Sequence, residues 1–566
     1  TQFFVSTAQV KAELVLVGCD AAAMLEDSDI SRMYHYAAFP KDFLWGVTSS
    51  AYQIEGGWEA DGKGASIWDT FTHQKPSSIP ENATGDVACN SYSGVQQDLD
   101  LIKTLGVKSY RFSISWPRLF PNGTTAEPVN PKGLDYYNAL IDGLLSLNVA
   151  PVVTLYHWDL PQALQDDGGW KNENIIKLFN GYAEFCFKTF GDRVRFWITF
   201  NDPFTVAWKG YGSGEMPPNL KADPGTAPYH VGRILLKAHA TVYHTYQTYR
   251  PTQKGLVSIA LNGDWYEPLD VNVPRDLEAA DRAMQFRLGW FAHPIFKNGD
   301  YPEAMKFQVA AKSDLQRLKE SRLPALTEDE KAMIRGTADV FCLNHHTTKI
   351  AKSSTQQLTP HSYQYDWDIM EQELTHFPQT GLKGQRAVSW GLRRVLNWIK
   401  LEYGDPEVYV TDNGVATERK VSDDDSARVF FLKTYIDEAL KAQSLDGVRL
   451  RGYLGAPLMD GFEWLQGYTV GSGLIHVDFT NSTLPRTHKY SSQLYQGIVK
   501  KNGFPPGEDE TLLHGHFRDD MIWSTATASY QVQRVPLSLG DCPGASFSGC
   551  TIVLFQPVFR TFLKMW

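Results

Sequence analysis

Eight short runs rich in β-branched and aromatic residues recur through the chain, each followed by a stretch long enough for a crossover helix. They lie at Leu44 to Ser49, Ser109 to Ser113, Ala150 to Tyr156, Arg195 to Phe200, Leu256 to Leu261, Ala338 to Leu343, Glu407 to Thr411 and Leu450 to Leu454. Between several of them, as at Gly133 to Ser146, Asn174 to Phe190 and Val388 to Tyr403, apolar residues fall at helical spacing. Parallel strands need such crossovers, and eight of them close most simply into an α/β (β/α)8 TIM barrel. The 566-residue chain is longer than most single domains, but barrels of this kind run from about 250 to over 400 residues as one unit.

A second feature bears on domain organisation. Phe39 to Gln53 reads FPKDFLWGVTSSAYQ and Phe517 to Gln531 reads FRDDMIWSTATASYQ, with Phe, Asp, Trp, Tyr and Gln in register. A duplicated unit therefore begins near the end of the chain. It is lost after Gln533, where RVPLSLGDCPGASFSGC shares nothing with the first copy. The expected organisation is a weakly packed extension over 1–38, a barrel over 39–505, and a linker with the start of a truncated repeat over 506–533. Residues 534–566 are expected to form an unrelated, unstructured tail, as an interrupted gene product would carry.

Composition narrows the partners. A net charge of −10 without any Lys/Arg block argues against nucleic acid and anionic membrane. Sixteen Trp, 26 Tyr and 30 Phe suit the aromatic faces that cover sugar C–H surfaces, although core packing uses the same residues. Six scattered cysteines show neither zinc-ligand spacing nor a disulfide framework. No metal and no cofactor is expected. Neither a signal peptide nor a membrane span is recognisable, since the tail near Thr551 to Trp566 is interrupted by Pro557, Arg560 and Lys564. Asn82, Asn122 and Asn481 stand in Asn-x-Ser/Thr triplets and would carry glycans in a secretory pathway.

Polar residues gather just past the strand runs: Gln53, His157 with Asp159, Asn201 with Asp202, Asn344 to His346, and Asp412. A barrel's active site occupies that C-terminal face, although each residue alone reads equally as a turn or helix cap. Asp202 and Asp412 end the fourth and seventh strands, so they face one another across the mouth. Paired carboxylates are what glycoside hydrolysis requires, one protonating the leaving oxygen and the other attacking or activating water. Burial should raise the pKa of Asp202, and Asp412 should stay ionised if Arg111 reaches it.

FPKDFLWGVTSSAYQIEGG from Phe39, RFSISW from Arg111, YHWDLP from Tyr156, TFNDP from Thr199, TDNG from Thr411 and DGFEW from Asp460 together resemble glycoside hydrolase family 1, from about Phe39 to Pro505. LGWFAHPIFKNGDYP from Leu288 and the tandem arrangement are most similar to its lactase-like branch, whose parents work in the secretory pathway or at the brush border. The resemblance implies a β-glycosidase acting on β-glucosides or β-galactosides, with a small β-glycoside or oligosaccharide as partner. It implies that Gln53, His157, Asn201, Glu463 and Trp464 hold the nonreducing sugar, with Trp158 and Asn344 as further substrate contacts.

It also exposes departures. Asp202 and Asp412 both stand where the family has Glu, as acid/base and nucleophile respectively. His346 replaces a Tyr that bonds the nucleophile, and Ala456 replaces a Trp beneath the sugar. Each Glu-to-Asp change withdraws a carboxylate by about 1.5 Å, which implies impaired turnover or a silent, glycosidase-like repeat kept for folding, transport or sugar binding.

Overall fold

The computed structural model describes residues 34–354, 361–419, 425–455 and 457–505. Ala456, the repeat at Phe517 to Gln531 and the tail lie outside these residues. Eight parallel strands form a closed barrel in sequence order: β1 (Leu44–Thr48), β2 (Ser109–Ser113), β3 (Ala150–Tyr156), β4 (Phe196–Asn201), β5 (Leu256–Asn262), β6 (Phe341–Asn344), β7 (Val408–Asn413) and β8 (Leu450–Gly455). Pairing of β1 with β8, Leu44 opposite Gly452 and Val47 opposite Gly455, closes the ring.

Crossover helices pack outside: α1 (Val95–Leu105), α2 (Pro131–Ser146), α3 (Asn174–Phe190), α4 (Ala227–Gln247), α5 (Pro274–Met284), α6 (Trp390–Glu402), α7 (Ser426–Ser444) and α8 (Tyr490–Lys501). Their local chemistry is legible. Asn130 caps α2 by accepting from Lys132 N at 3.2 Å, with Pro131 in the first turn, where no amide partner is needed. In α3 the buried side chains Ile175, Phe179, Tyr182, Ala183, Cys186, Phe187 and Phe190 recur every three to four residues and form one stripe against the barrel.

β6 starts three residues later than the sequence pattern suggests. Ala338 to Val340 are not extended because Asp339 is anchored instead, its carboxylate accepting from Val257 N and from Arg250 Nη2, both at 2.7 Å. Residues 34–38, expected to pack weakly, also differ. His35 N donates to Asp437 Oδ1 at 2.6 Å, Ala38 bridges to Gly503, and Phe504 N donates to Ala37 O at 2.9 Å. These five residues carry no barrel periodicity, so only their tertiary partners reveal them.

Inside the ring, Val152, Phe196, Ile198, Ala260, Val340 and Cys342 form a separate buried apolar cluster. This is a filled core, not a channel. The pairing register shifts between Ile198 and Asn201 on β4 and between Val410 and Asp412 on β7. Such irregularities re-aim side chains, and here they occur where the two aspartates emerge.

Candidate active site

Above the apolar plug lies a polar layer organised by Arg111. Its Nε donates to Thr154 Oγ1 at 3.0 Å, Nη1 to Thr411 O at 3.0 Å and Nη2 to Asn201 Oδ1 at 2.6 Å, with Nη1 also 3.5 Å from Asn344 Oδ1. Asn344 Nδ2 donates to the same Asn201 oxygen at 2.9 Å, and Thr411 Oγ1 donates to Asn344 Oδ1 at 2.8 Å. Arg111 thus ties β2 to β3, β4, β6 and β7. It forms no ion pair with Asp412, the condition set for that carboxylate in the sequence, because its donors go to neutral acceptors of this layer. The Asp412 charge still bears on the guanidinium, partly offsetting the burial that lowers its pKa.

The layer also fixes His157. Asn201 Nδ2 meets its Nε2 at 3.0 Å, so the ring proton belongs on Nδ1, which has no partner among the described residues. Burial, followed by the Arg111 charge, holds the pKa of His157 well below its usual value. It is a neutral donor. Gln53 accepts from Ser50 Oγ at 2.8 Å.

A cavity of about 590 Å³ opens over this layer at the strand ends. Gln53, His157, Trp158, Asn201, Asp202, Asn344, His346, Asp412, Glu463 and Trp464 all line it, so every candidate side chain facing the sugar is brought together except Ala456, which lies outside the described residues. Arg111 sits beneath, 1% exposed. Trp464 packs 4.5 Å from the Trp158 ring and 5.7 Å from His157, forming an aromatic wall. Trp158 Nε1 donates to Asn201 O at 2.9 Å. Trp158, Asp202 and Trp464 have φ of 77°, 44° and 49°, a left-handed conformation that is strained for bulky side chains and clusters at functional positions.

The carboxylates differ in setting. Asp202 is buried and caps the turn that follows it: Thr205 Oγ1 donates to Oδ2 at 2.6 Å and Thr205 N to Oδ1 at 3.4 Å. Burial raises its pKa, as the sequence suggests, opposed by the Thr205 bonds and the Arg287 charge. Burial also lifts Glu463 to about 7, with Asp412 and Asp460 adding to the rise and the bond from Ser472 Oγ, at 2.7 Å, opposing it. The backbone of His346 is fixed by donation from its N to Asp264 Oδ1 at 3.1 Å.

Residues 35–504 match the model of glycosyl hydrolase family 1. The chain belongs to glycosyl hydrolase family 1. It is 55% identical over 502 residues to human lactase/phlorizin hydrolase, covering 88% of this chain but 26% of that protein, so it spans about a quarter of that relative's length. Human cytosolic beta-glucosidase is 45% identical over 470 residues, covering 82% of this chain and 99% of that one. Among solved structures, aphid myrosinase superposes with a TM-score of 0.78 at 39% identity, covering 82% of this chain and 100% of its own.

Several cavity residues escape the motif reading: Lys209, Glu215, Asp264, Arg287, Lys349 and Ser472. Thr205 was findable, since an Asp three residues before a Thr at a helix start is a capping pattern. Arg287 and Ser472 carry no local signal. Among the described residues there is no cluster of His, Cys, Asp and Glu that could hold a metal, and no helix long and apolar enough to cross a membrane.

Proposed function

We propose that this domain cleaves β-glucosides or β-galactosides through Asp202 and Asp412, slowly because both side chains are one carbon short. The observation that carries this reading is the convergence of both aspartates and the sugar-facing set on a single cavity. Asp202, its pKa raised by burial, protonates the leaving oxygen. Asp412 supplies the opposing carboxylate, as nucleophile or as base toward water. Gln53, His157, Asn201 and Glu463 hold the sugar hydroxyls, with Trp464 packed against it. Withdrawing both carboxylates widens the gap toward the roughly 6.5–9.5 Å that admits a water, against about 5–5.5 Å for a glycosyl-enzyme pathway. Residual turnover is therefore expected to invert the anomeric centre.

A panel of aryl β-glucosides and β-galactosides, with proton NMR of the first-formed sugar, tests this. Hydrolysis with inversion supports it, and pure retention overturns the water-gap mechanism. Absence of turnover on every β-glycoside moves the reading to a silent, sugar-binding repeat. One observation favours that second reading: Thr205 engages both oxygens of Asp202, so the side chain already serves as a cap. In a secretory parent, Asn82, Asn122 and Asn481, all exposed, would carry glycans, which mass measurement before and after N-glycan removal reads directly.

A further inference from the structure

Four cations, Lys209, Arg287, Lys349 and Lys383, line the cavity beyond the sugar-holding residues, and the first three are not equally committed. Lys349 Nζ donates to Glu371 Oε2 at 3.1 Å. Lys209 Nζ lies 3.5 Å from Glu215 Oε1 at the more open edge. Arg287 differs from both. Its side chain is 15% exposed, and its closest carboxylate contact is Nη2 to Asp264 Oδ2 at 3.9 Å, beyond hydrogen-bond reach. The other oxygen of Asp264, Oδ1, accepts from His346 N and Thr347 N at 3.1 Å each, which fixes the carboxylate in place. The guanidinium is instead held flat, 4.1 Å over the Phe204 ring.

Arg287 has no hydrogen-bond acceptor among the described residues, and a planar fork of donors lining a cavity matches a carboxylate, sulfate or phosphate in two-point geometry. Its place in the site is set by Asp202, on whose carboxyl the charges of both Arg287 and Lys209 bear. Asp202 is the proposed proton donor to the leaving oxygen, so groups beside it flank the leaving group. The cavity, at about 590 Å³, is within the roughly 300–1,000 Å³ that holds a ligand of drug size, leaving room for an aglycone as well as a sugar.

We infer that Arg287, assisted by Lys209, forms an anion subsite for the leaving group, so that the ligands favoured here are β-glycosides whose aglycone carries a carboxylate, sulfate or phosphate. This rests on the proposed glycoside-binding function and names the substrate class for it. A bound anion would displace no existing hydrogen bond of Arg287. It would also place negative charge beside Asp202, favouring the protonated acid.

Non-hydrolysable thioglycosides test the subsite without requiring turnover. Titration calorimetry at low salt would compare phenyl 1-thio-β-glucoside with 4-carboxyphenyl 1-thio-β-glucoside. The carboxylated ligand is expected to bind roughly tenfold tighter, the scale of one hydrogen bond to a charged group. That ratio should fall toward one in Arg287→Gln, persist in part in Arg287→Lys, and fall less in Lys209→Gln, which sits at the open edge. If the neutral ligand binds and the carboxylated one is no tighter, or if Arg287→Gln keeps the preference, the anion subsite is overturned while glycoside binding stands. If neither ligand binds, both proposals fall. Should Arg287→Gln fail to fold, the Lys209→Gln and Arg287→Lys ratios still decide: an unchanged ratio in both overturns the assignment, and a reduced ratio in Arg287→Lys supports it.

Discussion

The polar layer under the cavity and the two aspartates at its wall are held in different ways. Arg111 ties four other strands to its own, and Asn201 and Asn344 bond to it and to each other, so the layer's geometry is over-determined. Asp202 has one local partner, Thr205, and no hydrogen bond to the Asp412 carboxylate occurs among the described residues. A networked layer tolerates little change at any member because every loss leaves a neighbour unsatisfied. A carboxylate tied only to its own turn, as Asp202 is to Thr205, can change length without disturbing that layer. On the proposed function, the groups that hold the sugar and the carboxylates that act on it are therefore separable.

The sharpest way to break that comparison is to restore the reach. Asp202→Glu with Asp412→Glu is expected to raise turnover of an aryl β-glucoside on the order of 10⁴-fold, because a misplacement of about 1 Å costs on the order of 100-fold at each group. The pair should exceed the sum of the singles, since the two act as a unit. No gain in the double variant, by steady-state kinetics, would show that the wall has lost more than length.

Next in size is the layer itself. Arg111→Met keeps the apolar stem but leaves Thr411 O and Thr154 Oγ1 without their donor, and should destabilise the fold by about 2 kcal/mol, read from the denaturant midpoint. An unchanged midpoint would mean that the network is not what holds the layer.

Glu463, which lines the same cavity, connects the two regions, since on the proposed function it holds sugar from within the wall. Its folded pKa is raised to about 7, above the usual 4.5, so the ionised form that accepts sugar hydroxyls is the minor species below pH 7. Affinity for a neutral thioglucoside should therefore rise about tenfold from pH 6 to pH 8. The linked stability runs the other way: the folded state binds more protons than the unfolded one between about 4.5 and 7, so this group's contribution is present at low pH and is lost as pH rises through 7. A flat affinity profile would remove Glu463 from the sugar site. The smallest effect is expected from Ser472→Ala, which removes the bond lowering the Glu463 pKa and should move the same transition to higher pH by a fraction of a unit.

Most of the barrel could be read from the sequence because each strand repeats one physical pattern: a short β-rich run buried on both faces between amphipathic helices. The reading failed at Ala338 to Val340, where the run continues but Asp339 is anchored by Arg250 and Val257. It failed again at residues 34–38, which are ordered by the far end of the barrel and not by their own composition. In the site, residues carried by strand-end motifs, such as Asn201 and Glu463, were legible. Arg287 was not, because it stands one position before the LGWFAHPIFKNGDYP segment in a helix, where an arginine usually signals only a solvated face. Whether Arg111 reaches Asp412 was open in the sequence, because sequence shows which charges are near but not which neutral acceptors take the donors first.

One feature of the fold bears on how such domains multiply. Phe39 N donates to Asn502 O at 2.8 Å, Asn502 Nδ2 returns a bond to Phe39 O at 2.7 Å, and Trp45 Nε1 reaches Asn502 Oδ1 at 2.8 Å. The barrel's first and last turns are knotted side by side where the strands begin, whereas the cavity opens where they end. A barrel with both ends of its chain on one stem can be copied head to tail as beads on a string, each mouth left unobstructed and free to drift toward its own ligand.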